Sequence, residues 1–207
     1  MPFSYDVFFV FFFFMLGFVI YIYASKKDAN HEFKDILKKE EELNKIIKDD
    51  VNINYIRPSI SNFPLMQEFE VKTDRESIAF KKQESVEDLI NLPMVSSIKG
   101  LSNEEIKIKF GSNNFDKITA YEQNYYTFLH ALNDWALLLK KADHFQEAII
   151  ILEEALILKS DIIKTYILLS DLYKETGQQE ALEGLKEYLT TNNVIDNNKI
   201  KEYINNL

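Results

Sequence analysis

Seventeen consecutive residues without a charge or a proline, VFFVFFFFMLGFVIYIY from Val7 to Tyr23, constrain this chain more than any other feature. A helix packed on a globular core keeps one polar face, and this stretch has none. A membrane span needs roughly 20 apolar residues, with about 17–25 tolerated. Extension to Phe3 and Ala24 brings in only Ser4 and Asp6, at headgroup depth. Tyr21 and Tyr23 stand where amphipathic rings favour the opposite interface. The segment therefore reads as a transmembrane helix marked by Val7, Phe14, Gly17 and Tyr23. A cleaved signal peptide fits less well, because no Lys or Arg precedes the apolar run and bulky tyrosines occupy positions that want small residues. Lys26, Lys27, Lys34, Lys38 and Lys39 all follow the run. The positive-inside rule then places the N-terminus outside and residues 25–207 in the cytoplasm.

Behind the anchor the organisation is expected as follows. Residues 1–24 form the span and 25–50 a charged juxtamembrane helix, with Phe33, Ile36, Leu37, Leu43, Ile46 and Ile47 at three- and four-residue spacings. Glu40 and Asn44 interrupt that stripe, which disfavours a coiled-coil stalk. Residues 51–100 read as a linker with a short helix near Glu84–Pro93, since NYIRPSISNFPLMQEF has two prolines and no sustained period. Phe63, Leu65 and Met66 give that linker a means of lying on a domain surface. Residues 101–207 read as a helical domain. Ser102 and Glu105 make a capping box and Gly111 a C-terminal cap, although Ile106, Ile108 and Phe110 also alternate like a strand. Asn114 is placed to start a long helix running into Leu139. Five glycines and four prolines in 207 residues suit an all-α fold and disfavour a turn-rich β fold.

Composition narrows the chemistry. A formal charge of -9 and a pI near 5.0 argue against nucleic acid as a partner, because phosphate binding needs a basic surface. No cysteine is present, so disulfides, thiolate metal sites and cysteine nucleophiles are out. His31, His130 and His144 lack paired metal-ligand spacing, and no phosphate loop or serine-nucleophile motif occurs. Glu153 and Glu154 are adjacent on a helix and diverge by about 100°. No enzyme activity, metal or cofactor is expected from this pattern.

The final third repeats itself. LHALNDWALLLKKADHFQEAIIILEEALILKSDI from Leu129 and IKTYILLSDLYKETGQQEALEGLKEYLTTNN from Ile163 superpose at a period of about 34 residues. Leu132, Trp135, Ala136 and Leu139 fall on Tyr166, Leu169, Ser170 and Tyr173. The turn at Asp143 falls on Gly177. Ala148, Leu152 and Ala155 then match Ala181, Leu185 and Tyr188 if the second turn is one residue shorter. Small residues at such positions let helices cross closely.

On these residues, about 129–193, the chain resembles the tetratricopeptide repeat family. It departs from the family pattern at Ser160, where a proline is expected, and at Tyr188. The resemblance implies a helical-hairpin α-solenoid in which Leu132, Trp135, Ala136, Leu139, Ala148, Leu152, Ala155, Tyr166, Leu169, Ser170, Tyr173, Gly177, Ala181 and Leu185 carry the packing. Two repeats do not bury a continuous core alone, so the segment from Ile118 and the terminal NNKIKEYINNL, with Ile200, Tyr203 and Ile204, are expected to cap the stack. The resemblance also implies a groove that takes a protein or peptide partner, along His130, Asn133, Leu137, Lys140, Lys141, Lys164, Ile167, Asp171 and Lys174. Lysines and an amide there would suit an acidic or carboxylate-ended peptide; a merely solvated face would look the same. The functional expectation is a membrane-anchored interaction module, with a self-associating structural component of a membrane assembly or an exported envelope protein as alternatives.

Overall fold

A computed structural model describes residues 5–191, except for the side chains of 5–13, 19, 20, 23–25, 27–30 and 69. The expected capping residues Ile200, Tyr203 and Ile204 lie outside it. The fold is all-α: the described residues form seven α-helices, three short 3-10 turns and one pair of two-residue strands. They divide into two compact units, Met1–Val51 with Leu101–Phe115, and Asn52–Gly100 with Asp116–Leu207.

In the first unit, helix α1 (Tyr5–Asn44) runs unbroken for 40 residues, about 60 Å at 1.5 Å per residue. Ion pairs one turn apart, such as Glu41–Lys45 at 3.0 Å, support its charged half. Phe14 and Gly17 of the anticipated span lie on its described part, and Phe14 is 73% exposed. The side chains of Val7 and Tyr23 lie outside the described residues. Among the described residues no helix is long and apolar enough to cross a membrane.

The end of α1 is tied to the short helix α3 (Asn103–Phe110; α2 belongs to the second unit). Ser102 Oγ accepts from the Glu105 backbone N–H, while the Glu105 carboxylate accepts from the Ser102 N–H at 2.7 Å. The Ser102 N–H, then its hydroxyl donating to the same carboxylate at 2.9 Å, hold the Glu105 carboxyl below the usual carboxylate range. Gly111 closes the helix at φ +86°, and a Cβ there would fall 2.7 Å from the Lys48 nitrogen. Only glycine fits that approach. The backbone at Lys48 is clasped by Asn113, which accepts from its N–H and donates to its C=O, both at 3.0 Å. Lys107 donates to Glu40 and to Asn44, and Leu43, Ile106 and Phe110 are buried.

The second unit begins in the stretch that reads as a linker. Residues Tyr55–Ile56 (β1) pair antiparallel with Met94–Val95 (β2). Between them lies α2 (Asp74–Ile90), 17 residues long and capped by Thr73 and Glu76. Its apolar side is short, with Ala79 and Val86 buried, which is why no strong helical period announces it. Phe63 is also buried, its ring edge-on to Phe128 at 6.2 Å and tilted against Trp135 at 6.1 Å. Gln83, 3% exposed, locks the segment by accepting from the Met66 N–H and donating to the Met66 C=O. Residues 52–100 thus help to build the core.

Four further helices follow: α4 (Phe115–Lys141), α5 (Phe145–Ile157), α6 (Ile163–Glu175) and α7 (Gln179–Thr191). Helix α4 buries Tyr125, Phe128, Leu129, Leu132, Trp135 and Leu139 at helical spacing. The α4–α5 and α6–α7 turns are built alike. Asp143 and Gly177 have φ values of 65° and 71°. The His144 N–H donates to the Leu139 C=O, and the Gln178 N–H to the Tyr173 C=O. Both are the left-handed closure that satisfies the last carbonyls of a helix, and every member recurs 34 positions later.

The register of α7 differs from the one that residue matching suggests. The second turn is not shorter: α5 starts at Phe145 and α7 at Gln179, also 34 apart. Buried Ala148, Ile151 and Ala155 therefore correspond to buried Leu182, Leu185 and Leu189. Ala181, matched by type to Ala148, is only half-buried. Similarity of small side chains misleads here, because turn length sets which face is covered.

Candidate interaction surface

The residues expected to pack the hairpins are inside. Leu132, Trp135, Ala136, Leu139, Ala148, Leu152, Ala155, Tyr166, Leu169, Ser170, Tyr173 and Leu185 are all buried, while Gly177 occupies the exposed turn. Helix α5 packs on α6 and α6 on α7, and small side chains at Ala148, Ala155 and Ser170 are fully buried on α5 and α6.

The residues expected to line a groove divide into three groups. His130, Leu137, Lys141, Lys164 and Lys174 are exposed, and Ile167 and Asp171 half-buried. Lys140 is engaged: its ammonium meets the Glu175 carboxylate at 2.7 Å, linking α4 to α6. Asn133 is not on a surface at all, being 6% exposed. Its amide donates to the Leu129 C=O and to Thr165 Oγ1, both at 2.9 Å. Thr165 Oγ1 lies 3.1 Å from Ser160 Oγ, and both residues are fully buried. Ser160 thus serves at the α5–α6 connection as a hydrogen-bonding post joined through Thr165 to Asn133 of α4. Burial of Asn133 follows from its place on the α4 face that meets α6.

Three tyrosines anchor this scaffold. Tyr125 donates to the Leu158 C=O at 2.8 Å, Tyr166 to the Ser160 C=O, and Tyr173 to the Glu153 carboxylate at 2.7 Å. Burial, ahead of neighbouring charge, pushes all three phenols well above the ordinary tyrosine value. They stay neutral donors at any physiological pH.

At the α4–α5 turn, His144 sits between two carboxylates, with Nε2 3.1 Å from Glu76 and Nδ1 3.5 Å from Glu147. Burial opposes its charge, but the hydrogen bonds to both acids and their charge outweigh it, so its pKa is raised. The Lys72 backbone N–H, then His144 and Thr73, hold the Glu76 carboxyl down to about 2. Arg75 donates to the Lys141 C=O, and Lys82 reaches Asp134 at 3.1 Å. These contacts clip α2 along α4. The cleft beside His144, lined at its base by Leu65, Met66 and Leu139, has a volume of about 520 Å³. Two of its three carboxylates are engaged in helix capping, Glu70 accepting from the Gln67 N–H and Glu76 from the Thr73 N–H, and the third, Glu147, faces His144. Among the described residues no cluster of His, Asp and Glu gathers to hold a metal ion.

The clip and the Phe63 wedge have no periodic signature in the sequence. The only local trace is the Thr73–Glu76 capping box, three residues apart ahead of α2.

These observations define an all-α protein with two consecutive helical hairpins and an exposed face of mixed lysines and apolar residues. Comparison with protein-family models, with curated proteins and with solved structures finds no match to this chain.

Proposed function

We propose that this chain is a membrane-anchored, tetratricopeptide-like binding module that holds a partner protein or peptide at the cytoplasmic membrane face. The carrying observation is the recurrence, 34 residues apart, of the same left-handed turn, with Asp143 and Gly177 at φ 65° and 71°. A repeat of that length is one supersecondary unit whose stacking presents the first helix of each hairpin along one surface. His130, Leu137, Lys164 and Lys174 are exposed on those helices, a composition that favours an acidic or carboxylate-ended peptide. For the anchor, Phe14, Met15, Leu16, Phe18 and Tyr21 are 45–73% exposed along α1. Such a contiguous apolar surface marks a lipid or protein contact. Anchoring raises the local concentration of whatever the module binds without a new contact.

The test is affinity purification from membranes with the full chain and with a Lys164→Glu, Lys174→Glu variant. A partner captured by the first and lost by the second supports the reading; equal capture refutes the face. Digestion of the C-terminal region by protease added outside intact cells would refute the sidedness. A second reading is favoured by Phe33, Ile36 and Leu37, all at least half exposed on α1: that stripe pairs two copies, and sedimentation without a partner would then show an oligomer.

A further inference from the structure

The α5 and α7 helices carry a groove that the face on α4 and α6 does not use. Its volume is about 500 Å³. Leu156 and Ile157 form the α5 side, and Ala181, Gly184, Leu185 and Tyr188 the α7 side. Ile157 is 71% exposed, too much for a residue serving only this chain's core. On α7 the four positions are spaced i, i+3, i+4 and i+7, so they make one straight face. Small residues deepen it in the middle. A Cβ at Gly184 would have no atom within 4 Å, so the groove is open above the helix backbone.

The one charged residue in its lining is acidic. Glu153 lines the groove and is fixed by the Tyr173 hydroxyl at 2.7 Å. Glu180 and Glu187 each precede a groove residue of α7, about 100° around the helix, and both are exposed. Lys186 is paired with Glu183 at 3.2 Å, and no lysine or arginine lines the groove. An apolar floor with an acidic lip excludes acidic ligands and attracts a cationic one.

We infer that the α5–α7 groove docks an amphipathic helix of a partner protein, with apolar residues at i, i+3 or i+4 and i+7 and lysine or arginine beside them. The helix lays its apolar stripe over Gly184, between Ile157 and Tyr188, and its basic flanks meet Glu153, Glu180 and Glu187. This is the helix-in-groove mode, in which a short apolar stripe supplies the affinity and flanking charge the selectivity. Tyr173 is the one lining residue on α6, and none of the exposed residues of the α4–α6 face lines the groove, so the two readings fail separately.

The experiment measures fluorescence anisotropy of a synthetic helix of about 14 residues, leucine on one stripe and lysine elsewhere. It is titrated with the full chain in zwitterionic detergent, and the signal of protein-free detergent is subtracted. A second peptide replaces every lysine with glutamate. The lysine peptide is expected to bind at least about tenfold more tightly than the glutamate peptide. Gly184→Leu fills the groove and improves helix propensity, so folding is retained; it should weaken binding by about tenfold or more. Glu153→Lys with Glu180→Lys should weaken it and flatten the salt dependence. Lys164→Glu with Lys174→Glu should leave it unchanged. Equal binding of both peptides, or no effect of Gly184→Leu, overturns the proposal. So does binding that appears only when Ile200→Asp and Ile204→Asp are introduced, which would assign the groove to this chain's own C-terminal segment. Dimerisation abolished by Gly184→Leu in the absence of peptide would assign it instead to a second copy.

Discussion

Replacing Phe63 with alanine separates a core-building segment from a tether. The ring is 6% exposed and touches Phe128 and Trp135, with centroid distances of 6.2 and 6.1 Å. Truncation of a buried phenylalanine costs about 3–5 kcal/mol through lost transfer energy and the cavity left behind. Aromatic partners contribute about 0.5–1.5 kcal/mol beyond area burial, and both contacts here are of edge or tilted geometry. Partial collapse of neighbouring half-buried Leu65 and Met66 into the space offsets some of this. The expected loss for Phe63→Ala is therefore about 3–4 kcal/mol. At about 2–4 °C per kcal/mol, Tm falls by roughly 6–16 °C. Urea unfolding and thermal melts of the full chain in mild detergent, followed by far-UV circular dichroism and by Trp135 fluorescence, measure the two quantities. Ile157→Ala, at a residue 71% exposed, is the control and should change stability by no more than about 0.5 kcal/mol. A Phe63→Ala loss below about 1 kcal/mol would refute the wedge, because no buried aromatic pair is lost so cheaply; residues 52–100 would then be peripheral.

Two further tests address the backbone and the titrating clip. Gly177→Ala forces a Cβ into φ +71° without a steric neighbour, so it should cost about 1–2 kcal/mol from backbone strain alone. Lys159→Gly, at φ 63°, should stabilise by up to about 1 kcal/mol by removing the same strain; thermal melts of both variants check the sign. The pH dependence follows from His144 and Glu76. The raised pKa of His144 gives a contribution fully present below the ordinary histidine value of about 6.5 and lost as pH rises through the raised value. The depressed Glu76 gives one present above the ordinary glutamate value and lost as pH falls toward about 2. Urea midpoints should therefore decline as pH rises above the ordinary histidine value, and His144→Gln should flatten that alkaline limb while only weakening the acid limb, because the Lys72 and Thr73 hydrogen bonds to Glu76 remain. An alkaline limb unchanged by His144→Gln would refute the clip.

What was legible from sequence alone rests on short-range physics. The all-α class, the start of α3 at Ser102 with Glu105, its end at Gly111, and the long helix through Leu139 follow from caps and periodicity, which act within a few residues. The recurrence of Asp143 at Gly177 was visible for the same reason, since a left-handed turn is a local event. What only the tertiary structure decided depends on which neighbour covers a face. Asn133 and His130 sit on one helix, yet one is buried against Thr165 and the other is exposed. Lys140 loses its availability to Glu175, 35 residues away. Phe63, in a stretch without period, becomes a core residue because Phe128 and Trp135 leave room for it. Ala181, which resembles Ala148 by type, opens a groove instead of seating a helix, because the equal turns set Leu182 in the covered position. Burial is a property of pairs of elements, and a single strand of residues carries only one member of each pair.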